Sequence, residues 1–390
     1  MSKIDEILEQ LCPDGVEYRA LADVFETRNG YTPSKKNSEY WTDGSVNWFR
    51  MEDIRANGHI LSDSIQKVSH SAVKGGEPFA ADSLIVATSA TIGEHALVTV
   101  PFLCNQRFTC LTRKAEFVNK LDMKFFLYYA DLLDKYCLEH TNNGGFASVS
   151  MTAFRDFPVA IPPLEIQQEI VRILDSFTKL ELELELELEL RKTQYDYYRN
   201  RLIDFAEDTS LLELGEVVFM KAGKHIAGSE IKDVQSQENP YPCYGGNGIR
   251  GYVSEFNNQG EKVLIGRQGA LCGNICRVSG KFYATEHAVV TTCNEHILPA
   301  YAFHMLTAAN LNQYKSQGAQ PGLAVSNLKK IKIQVPSIEQ QRHIANVLDQ
   351  FSALTTSLTD GLPAEIQARH QQYEYYRDKL LDFPRKKTEA

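Results

Sequence analysis

The chain repeats itself. The segment Ile161-Pro-Pro-Leu-Glu-Ile-Gln-Gln-Glu-Ile-Val-Arg-Ile-Leu-Asp-Ser-Phe177 returns 174 positions later as Val335-Pro-Ser-Ile-Glu-Gln-Gln-Arg-His-Ile-Ala-Asn-Val-Leu-Asp-Gln-Phe351. Gln194-Tyr-Asp-Tyr-Tyr-Arg-Asn-Arg-Leu-Ile-Asp-Phe205 returns after 178 as Gln372-Tyr-Glu-Tyr-Tyr-Arg-Asp-Lys-Leu-Leu-Asp-Phe383. Such a duplication restricts the fold to two copies of one plan, a variable segment followed by a helical one. Weaker matches persist upstream: Tyr18-Arg-Ala-Leu-Ala-Asp-Val-Phe25 with Leu212-Glu-Leu-Gly-Glu-Val-Val-Phe219, and Ser89-Ala-Thr-Ile-Gly93 with Gly269-Ala-Leu-Cys-Gly273. Near-copied connectors between diverged globular parts suggest one scaffold presenting two different binding surfaces. A length of 390 residues agrees with two domains plus connecting structure.

The connectors read as helices. Ile166, Ile170, Ile173, Phe177, Leu180 and Leu184 follow a heptad spacing, as do Ile344, Val347, Phe351, Leu354 and Leu358. The most economical partner for each seam is the other copy, packed antiparallel. Pro163 and Pro336, each with Glu close behind, mark the starts. The run Leu180 to Leu190 alternates Leu and Glu, formally a strand pattern, but both are strong helix formers and the heptad runs straight into it. As a helix it carries two apolar faces, one for the helix partner and one for a second protein. From Leu164 to Arg201 it would reach on the order of 55 Å. In the second copy Asp360-Gly-Leu-Pro363 predicts a break.

Composition excludes several classes. No run of 18 apolar residues exists, so no membrane span is expected, and the acidic, amphipathic N-terminus lacks the order of a secretory signal, which points to the cytoplasm. Eight Cys are too sparse for a disulfide framework, and Cys272 and Cys276 have no further ligands at zinc spacing, so free thiols and no metal are expected. Catalytic motifs are missing. Asn239-Pro-Tyr-Pro242 has the wrong order for an amino-methyltransferase signature, and Glu230-Ile-Lys232 lacks the aspartate of a nuclease site. No catalytic residue is assigned.

The variable segments mix short apolar runs with Gly, Asn and Ser turns and one helical stretch each, the pattern of compact α+β domains. Tyr244-Gly-Gly-Asn-Gly-Ile-Arg-Gly-Tyr252 lacks the Lys-Ser/Thr of a phosphate loop and is first a turn between strands. Arg with Asn or Gln supplies the side chains that read guanine and adenine edges. Loop candidates of these types are Lys35, Lys36, Arg50, Gln106, Arg107, Asn142 and Asn143 in the first segment, and Lys224, Asn247, Arg250, Arg267, Gln268, Lys315, Gln317 and Gln320 in the second. Ordinary surface polarity competes with base contact at each.

Pro-x-x-Glu-x-Gln-Gln before a coiled-coil helix, Tyr-x-Tyr-Tyr-Arg at its end, and the duplication itself closely resemble the specificity (S) subunit of type I restriction-modification systems. Thr32-Pro-Ser34, Asn105-Gln106, Tyr244-Gly-Gly-Asn247, Gly266-Arg-Gln-Gly269 and Ala284-Thr-Glu-His-Ala288 support it. The resemblance implies an α+β chain with two tandem α/β target recognition domains, separated by two long antiparallel helices forming an intramolecular coiled coil. The expected parts are an N-terminal helical extension at 1–15, recognition domains at 16–160 and 208–334, spacer helices at 161–207 and 335–383, and a tail at 384–390. It also implies that each domain reads half of a bipartite, asymmetric double-stranded DNA site, with the helices as a ruler. Two methyltransferase subunits would dock on this chain and two nuclease-translocase (restriction) subunits would join for cleavage. S-adenosylmethionine would belong to the methyltransferases, and ATP and Mg to the nuclease-translocases. Tyr195, Tyr197, Tyr198 and Arg199, with Tyr373, Tyr375, Tyr376 and Arg377, are candidates for packing between helices and partner subunits, or for closing the coiled coil alone. The Leu-Glu run sits where family members carry a length-setting repeat, but departs from the usual tetrapeptide.

Two rival readings remain at this point: a coiled-coil scaffold without DNA readout, and a fused methyltransferase or nuclease. A formal net charge of −9 argues against nucleic-acid binding by the whole chain. Divided by segment, the objection weakens. Residues 161–210 hold 6 basic against 12 acidic residues, residues 16–160 hold 15 against 17, and residues 211–335 hold 12 against 9. The acidity lies mainly in the spacer and the N-terminus, so modest DNA affinity is expected of the subunit alone.

Overall fold

The computed structural model describes residues 6, 10, 12–142, 147–204, 209–269, 272–316, 322–357 and 359–386. The N-terminal extension, the last four residues and the seam position Leu358 therefore lie wholly or largely outside the described residues. The chain forms two units, Met1–Glu181 with Arg369–Ala390, and Leu182–Ala368. Five longer helices are labelled here: α1 (Met123–Glu139), α2 (Leu164–Asp204), α3 (Pro299–Ala308), α4 (Ile338–Thr356) and α5 (Leu362–Leu380).

In the first unit a five-stranded sheet runs in the order Phe25–Asn29, Phe108–Arg113, Ser83–Ala87, His95–Val98 and Ile60–Leu61. Beside it Val46–Phe49 pairs with Phe102–Cys104 in parallel. In the second, Val218–Ala222, Ala288–Cys293, Lys262–Gly266 and Ile275–Val278 form the corresponding sheet, and Tyr241–Gly245 pairs with Lys281–Ala284 in parallel. Each domain begins and ends in one antiparallel strand pair: Glu17–Ala20 with Pro158–Ile161, and Ser210–Glu213 with Lys332–Val335. Four-residue helices follow the entry strands, Leu21–Val24 and Leu214–Val217. They align one residue away from the sequence match, so Tyr18 corresponds to Leu211. Burial explains the slip: Phe25 is 1% exposed, whereas the Phe219 it was matched with is 65% exposed.

The Leu-Glu run is helical within an unbroken 41-residue α2. The heptad seam, however, is shared between two tasks. Ile166 and Ile170, joined by Leu174, are fully buried in the core of the first domain beside Phe125, Phe126 and Leu84. Ile344, with Ala345 and Leu348, enters the core of the second. These residues recur every four positions because a helix lying on a globular domain buries an i, i+4 row, whereas a supercoil needs 3.5. Later turns meet helix instead. Phe177 stacks on Tyr376 at 5.6 Å and Glu181 reaches His370 at 3.1 Å, an antiparallel order, and in the second unit Tyr198 stacks on Phe351 at 5.8 Å. Leu354, expected in the seam, is 39% exposed.

The second connector breaks between Thr356 and Leu362. Gly361 is required there, since a Cβ would come within 2.8 Å of the carbonyl oxygens of Ala353 and Leu354. The first unit closes on its own chain ends. Val16 accepts from the Lys386 N–H at 2.9 Å and donates to the Pro384 carbonyl at 2.7 Å, while Leu381 and Phe383 join the core.

Candidate nucleic-acid interface

Four loops converge at one end of the main sheet of the first domain. They are the loop after Phe25–Asn29, the loop after Ser83–Ala87, the turn Asn105–Arg107, and the hairpin of Thr141–Asn142 with Ser148–Val149. Backbone bonds close them together: Gly30 N to Phe108 O (2.9 Å), Tyr31 N to Cys104 O (2.8 Å), Thr88 N to Arg107 O (3.0 Å) and Val149 N to Thr88 O (2.9 Å). Thr32 Oγ1 adds a side-chain bond to Gln106 Oε1. Gly30 is imposed by the closeness, because a Cβ would sit 2.1 Å from the Asn105 carbonyl oxygen.

The second domain repeats this closure bond for bond. Gly223 N donates to Ala288 O (3.0 Å), Lys224 N to Ala284 O (3.0 Å), Arg267 N to His287 O (2.9 Å) and Leu323 N to Arg267 O (2.8 Å). His225 Nδ1 donates to Glu286 Oε1 at 2.9 Å, the counterpart of Thr32 with Gln106. Bridges Ser89–Ser148 and Gln268–Gly322 also correspond. Backbone geometry is retained while the side chains change. Thr32, Ser89, Gln106 and Arg107 in one domain are replaced at the equivalent positions by His225, Gln268, Glu286 and His287 in the other.

The predicted candidates fall largely on these loops. Gln106, Arg107 and Asn142 are exposed in the first cluster, and Lys35 and Lys36 lie in an exposed turn just past Thr32. Arg107 pairs with no carboxylate among the described residues. Arg50 stands slightly behind: it starts the short helix Met51–Asn57, its N–H bonded to Asp53 at 2.7 Å and its guanidinium 5.4 Å from the Trp48 ring. In the second cluster Lys224, Arg267 and Gln268 come together. The turn carrying Asn247 reaches them through Gly246, where a Cβ would lie 3.2 Å from His287 O and 3.3 Å from Gln268 O. Arg250 lies across Gly245 of the same hairpin. Lys315 bonds Asn312 at 2.8 Å, next to Ser316, which donates to Gly322 at 2.9 Å. Asn143, Gln317 and Gln320 lie outside the described residues. The Gly-rich string is a hairpin between strands Tyr241–Gly245 and Gly248–Val253, not a loop opening a helix, and so lacks the geometry of a nucleotide cradle.

The helix motifs have a structural explanation that sequence reasoning missed. Gln167 and Gln341, the matching glutamines of the two Pro-x-x-Glu-x-Gln copies, are 0% exposed. Gln167 accepts from Asp122 N (2.7 Å) and donates to the carbonyls of Lys120 (2.7 Å) and Pro162 (2.6 Å). Gln341 accepts from Leu298 N and donates to His296 and Pro336, each at 2.8 Å. Each amide thus ties the start of a spacer helix to the start of its domain's own helix, α1 or α3. Asp175 and Asp349 form a second tie. Asp175 accepts from Tyr128 (2.7 Å) and Lys124 (2.6 Å), and Asp349 from His304 (2.8 Å) and Arg277 (2.8 Å). Recurrence of a polar residue at equivalent points of both repeats was the available signal.

The aromatic–arginine motifs dock helix ends. Tyr195 bonds His304 at 2.9 Å and lies under the Arg199 guanidinium at 5.2 Å. Arg377 pairs with Asp131 at 3.1 Å and covers Tyr373 at 5.6 Å. Tyr198 and Tyr376 stack on Phe351 and Phe177, which leaves Tyr197 and Tyr375 at 56% and 62% exposed. Leu182, Leu186 and Leu190 form a second exposed row on α2.

Beside Arg377 and Asp131, His95 and Asp134 complete a group of three possible metal ligands. The hydrogen bonding favours an ion pair there. His95 Nδ1 faces Asp134 at 2.6 Å and Nε2 faces the Leu127 carbonyl at 2.9 Å, so both nitrogens donate. Burial opposes the charge, but the Asp134 hydrogen bond and charge outweigh it and raise the pKa above its ordinary value. In His304 burial prevails over Asp349 and the pKa is lowered. All eight cysteines are free thiols. No helix among the described residues is long and apolar enough to cross a membrane.

Comparisons with known proteins place this architecture. The model of the type I restriction modification DNA specificity domain matches residues 13–191 and again 207–368. The EcoprrI type I restriction enzyme specificity subunit of Escherichia coli is 53% identical over 369 residues, 90% of this chain and 92% of that protein. A second E. coli type I restriction enzyme specificity subunit is 30% identical over 300 residues, 69% and 73% of the two chains. The fold is shared with a chain from a structural study of complex assembly and conformational transition in the type I R-M system (TM-score 0.62, 15% identity, 94% and 97% covered). It is also shared with the S subunit from M. genitalium (TM-score 0.53, 16% identity, 94% and 95% covered). With two matched specificity domains and a relative aligned along nearly its whole length, the chain belongs to the type I restriction-modification specificity subunits.

Proposed function

We propose that this chain is the non-catalytic, DNA-reading subunit of a cytoplasmic type I restriction-modification complex. Residues 16–160 and 208–334 each read one half of a bipartite, asymmetric double-stranded DNA site through their loop clusters. Two methyltransferase subunits dock on the chain, with the exposed Tyr197, Tyr375 and Leu182–Leu186–Leu190 row as their footholds, and two restriction subunits join for cleavage. S-adenosylmethionine is held by the methyltransferases, and ATP and Mg by the nuclease-translocases. One observation carries the reading: identical backbone closures present different side chains at equivalent points, as two readers of different sequences require. A scaffold binding one repeated partner would keep those side chains alike.

The test is a methylome of cells with and without the gene, followed by exchange of residues 16–160 for the same segment of another member. Deletion is expected to abolish one split motif, and exchange to alter one half-site. An unchanged methylome, or both half-sites changing together, refutes the assignment.

A further inference from the structure

Two exposed glutamines at the loop ends share a constraint. In the first domain the Gln106 oxygen is taken by Thr32 Oγ1. In the second, the Gln268 oxygen is taken by His287 Nδ1 at 2.5 Å, while His287 Nε2 faces Glu286 at 3.4 Å. A bidentate contact to adenine needs both ends of an amide turned to the base, the oxygen to N6 and the nitrogen to N7. Here each oxygen already accepts a hydrogen bond from within the loop cluster, which leaves the amide nitrogen as the unengaged end. When a hydroxyl O–H or an imidazole N–H donates to an amide, as here, only the oxygen end can accept.

We propose that Gln106 and Gln268 are specificity-determining residues preset as hydrogen-bond donors, with Thr32 and His287 as the positioning residues that set them. Each reads an acceptor in the major groove, guanine O6 or thymine O4, and discriminates against the exocyclic amines that adenine and cytosine place there. The inference rests on the reading of the loop clusters as DNA-facing. Gln106 corresponds to Glu286 and Gln268 to Ser89, so the preset amide sits on a different loop in each domain and falls at a different step of each half-site. By residue type alone, both glutamines are loop candidates for an adenine edge or ordinary exposed polar residues. The neighbouring donors hold each oxygen toward the loop cluster and so disfavour adenine.

The test uses the full chain assembled with its methyltransferase subunits and a DNA library randomised across both half-sites, read out by which members become methylated. Thr32→Val keeps the shape but frees the Gln106 amide to turn, and is expected to relax discrimination against adenine about 10-fold at one position of one half-site. Gln106→Glu keeps an oxygen for Thr32 but presents an acceptor, and is expected to shift that position toward cytosine or adenine. His287→Leu is expected to relax one position of the other half-site only. If these variants methylate a split motif with every position unchanged, or lose activity evenly over all sequences, the donor assignment is overturned while DNA reading stands. If the unmodified complex shows no sequence preference, the reading beneath it fails instead.

Discussion

Replacing Gln167 with Leu removes the amide that fastens α2 to the first domain. The volume is nearly kept, so the change isolates the polar ties. Two carbonyls, the part-buried one of Lys120 and the buried one of Pro162, lose a donor at 2.7 and 2.6 Å, and the Asp122 N–H loses its acceptor at 2.7 Å. Each stranded group costs about 1–3 kcal/mol, so the three together lose roughly 3–9 kcal/mol, with the partial exposure at Lys120 and Asp122 favouring the lower end. Against a typical stability of about 5–15 kcal/mol, this undocks the first turns of α2 before it unfolds the domain. Hydrogen exchange on the full chain reads the effect directly. Peptides over 119–126 and 164–174 are expected to lose about 100-fold or more of their protection, while peptides of the second domain hold theirs. Gln341→Leu is expected to produce the mirror result around 296–300 and 338–348. The double variant should show the sum, because the two sites lie in separate units. A loss below threefold, or an equal loss in both domains after one substitution, refutes the reasoning.

The other predictions concern the loops, the histidines and the spacer. Gly30→Ala drives a Cβ against the Asn105 carbonyl and is expected to open the first loop cluster, abolishing methylation of the split motif while circular dichroism shows the sheet and helices intact. The two buried histidines give opposite pH responses. The raised pKa of His95 contributes stability that is full below about 6.5 and lost as pH rises through the folded value. The lowered pKa of His304 contributes stability present above about 6.5 and lost as pH falls below it. Exchange corrected for intrinsic rates should therefore weaken in the first unit as pH rises above about 6.5, and in the second as it falls below about 6.5; the same sign in both refutes the assignment. One added Leu-Glu-Leu-Glu unit lengthens α2 by about 6 Å and is expected to change the gap between half-sites by about two base pairs. Mapped motifs with altered half-sites and an unaltered gap would contradict the ruler role.

The duplication, the helices and the break at Gly361 were legible in the sequence because local chemistry dictates them. Heptad spacing, unbroken helix formers and a Gly-Pro pair leave few options. The seam was harder to read. The same apolar positions can serve a domain face or a partner helix, and only the burial of Leu174 and Leu348, outside the heptad, separates the two. The slip of one residue at Tyr18 came from matching a shared Val-Phe pair without knowing which Phe faced the core. Candidate loop residues could be chosen by type, but their partners could not: Thr32 and Gln106 are 74 positions apart, and nothing local links them. Gln167 and Gln341 were visible as a motif, yet a polar residue near a helix start reads as surface until its three partners are seen.

The paired entry and exit strands bear on inheritance as well as on folding. Because Glu17–Ala20 lies against Pro158–Ile161, and Ser210–Glu213 against Lys332–Val335, each domain leaves the scaffold and returns at neighbouring points. Whatever is bounded by such a pair can change in length or be replaced whole, provided its ends meet the same two strands. The matched stretches that follow, Ile161–Phe177 and Val335–Phe351, mark where any such replacement rejoins the scaffold. A whole domain can thus be exchanged in one step while the spacer and its buried amides stay intact; under the proposed function, that step is a new half-site.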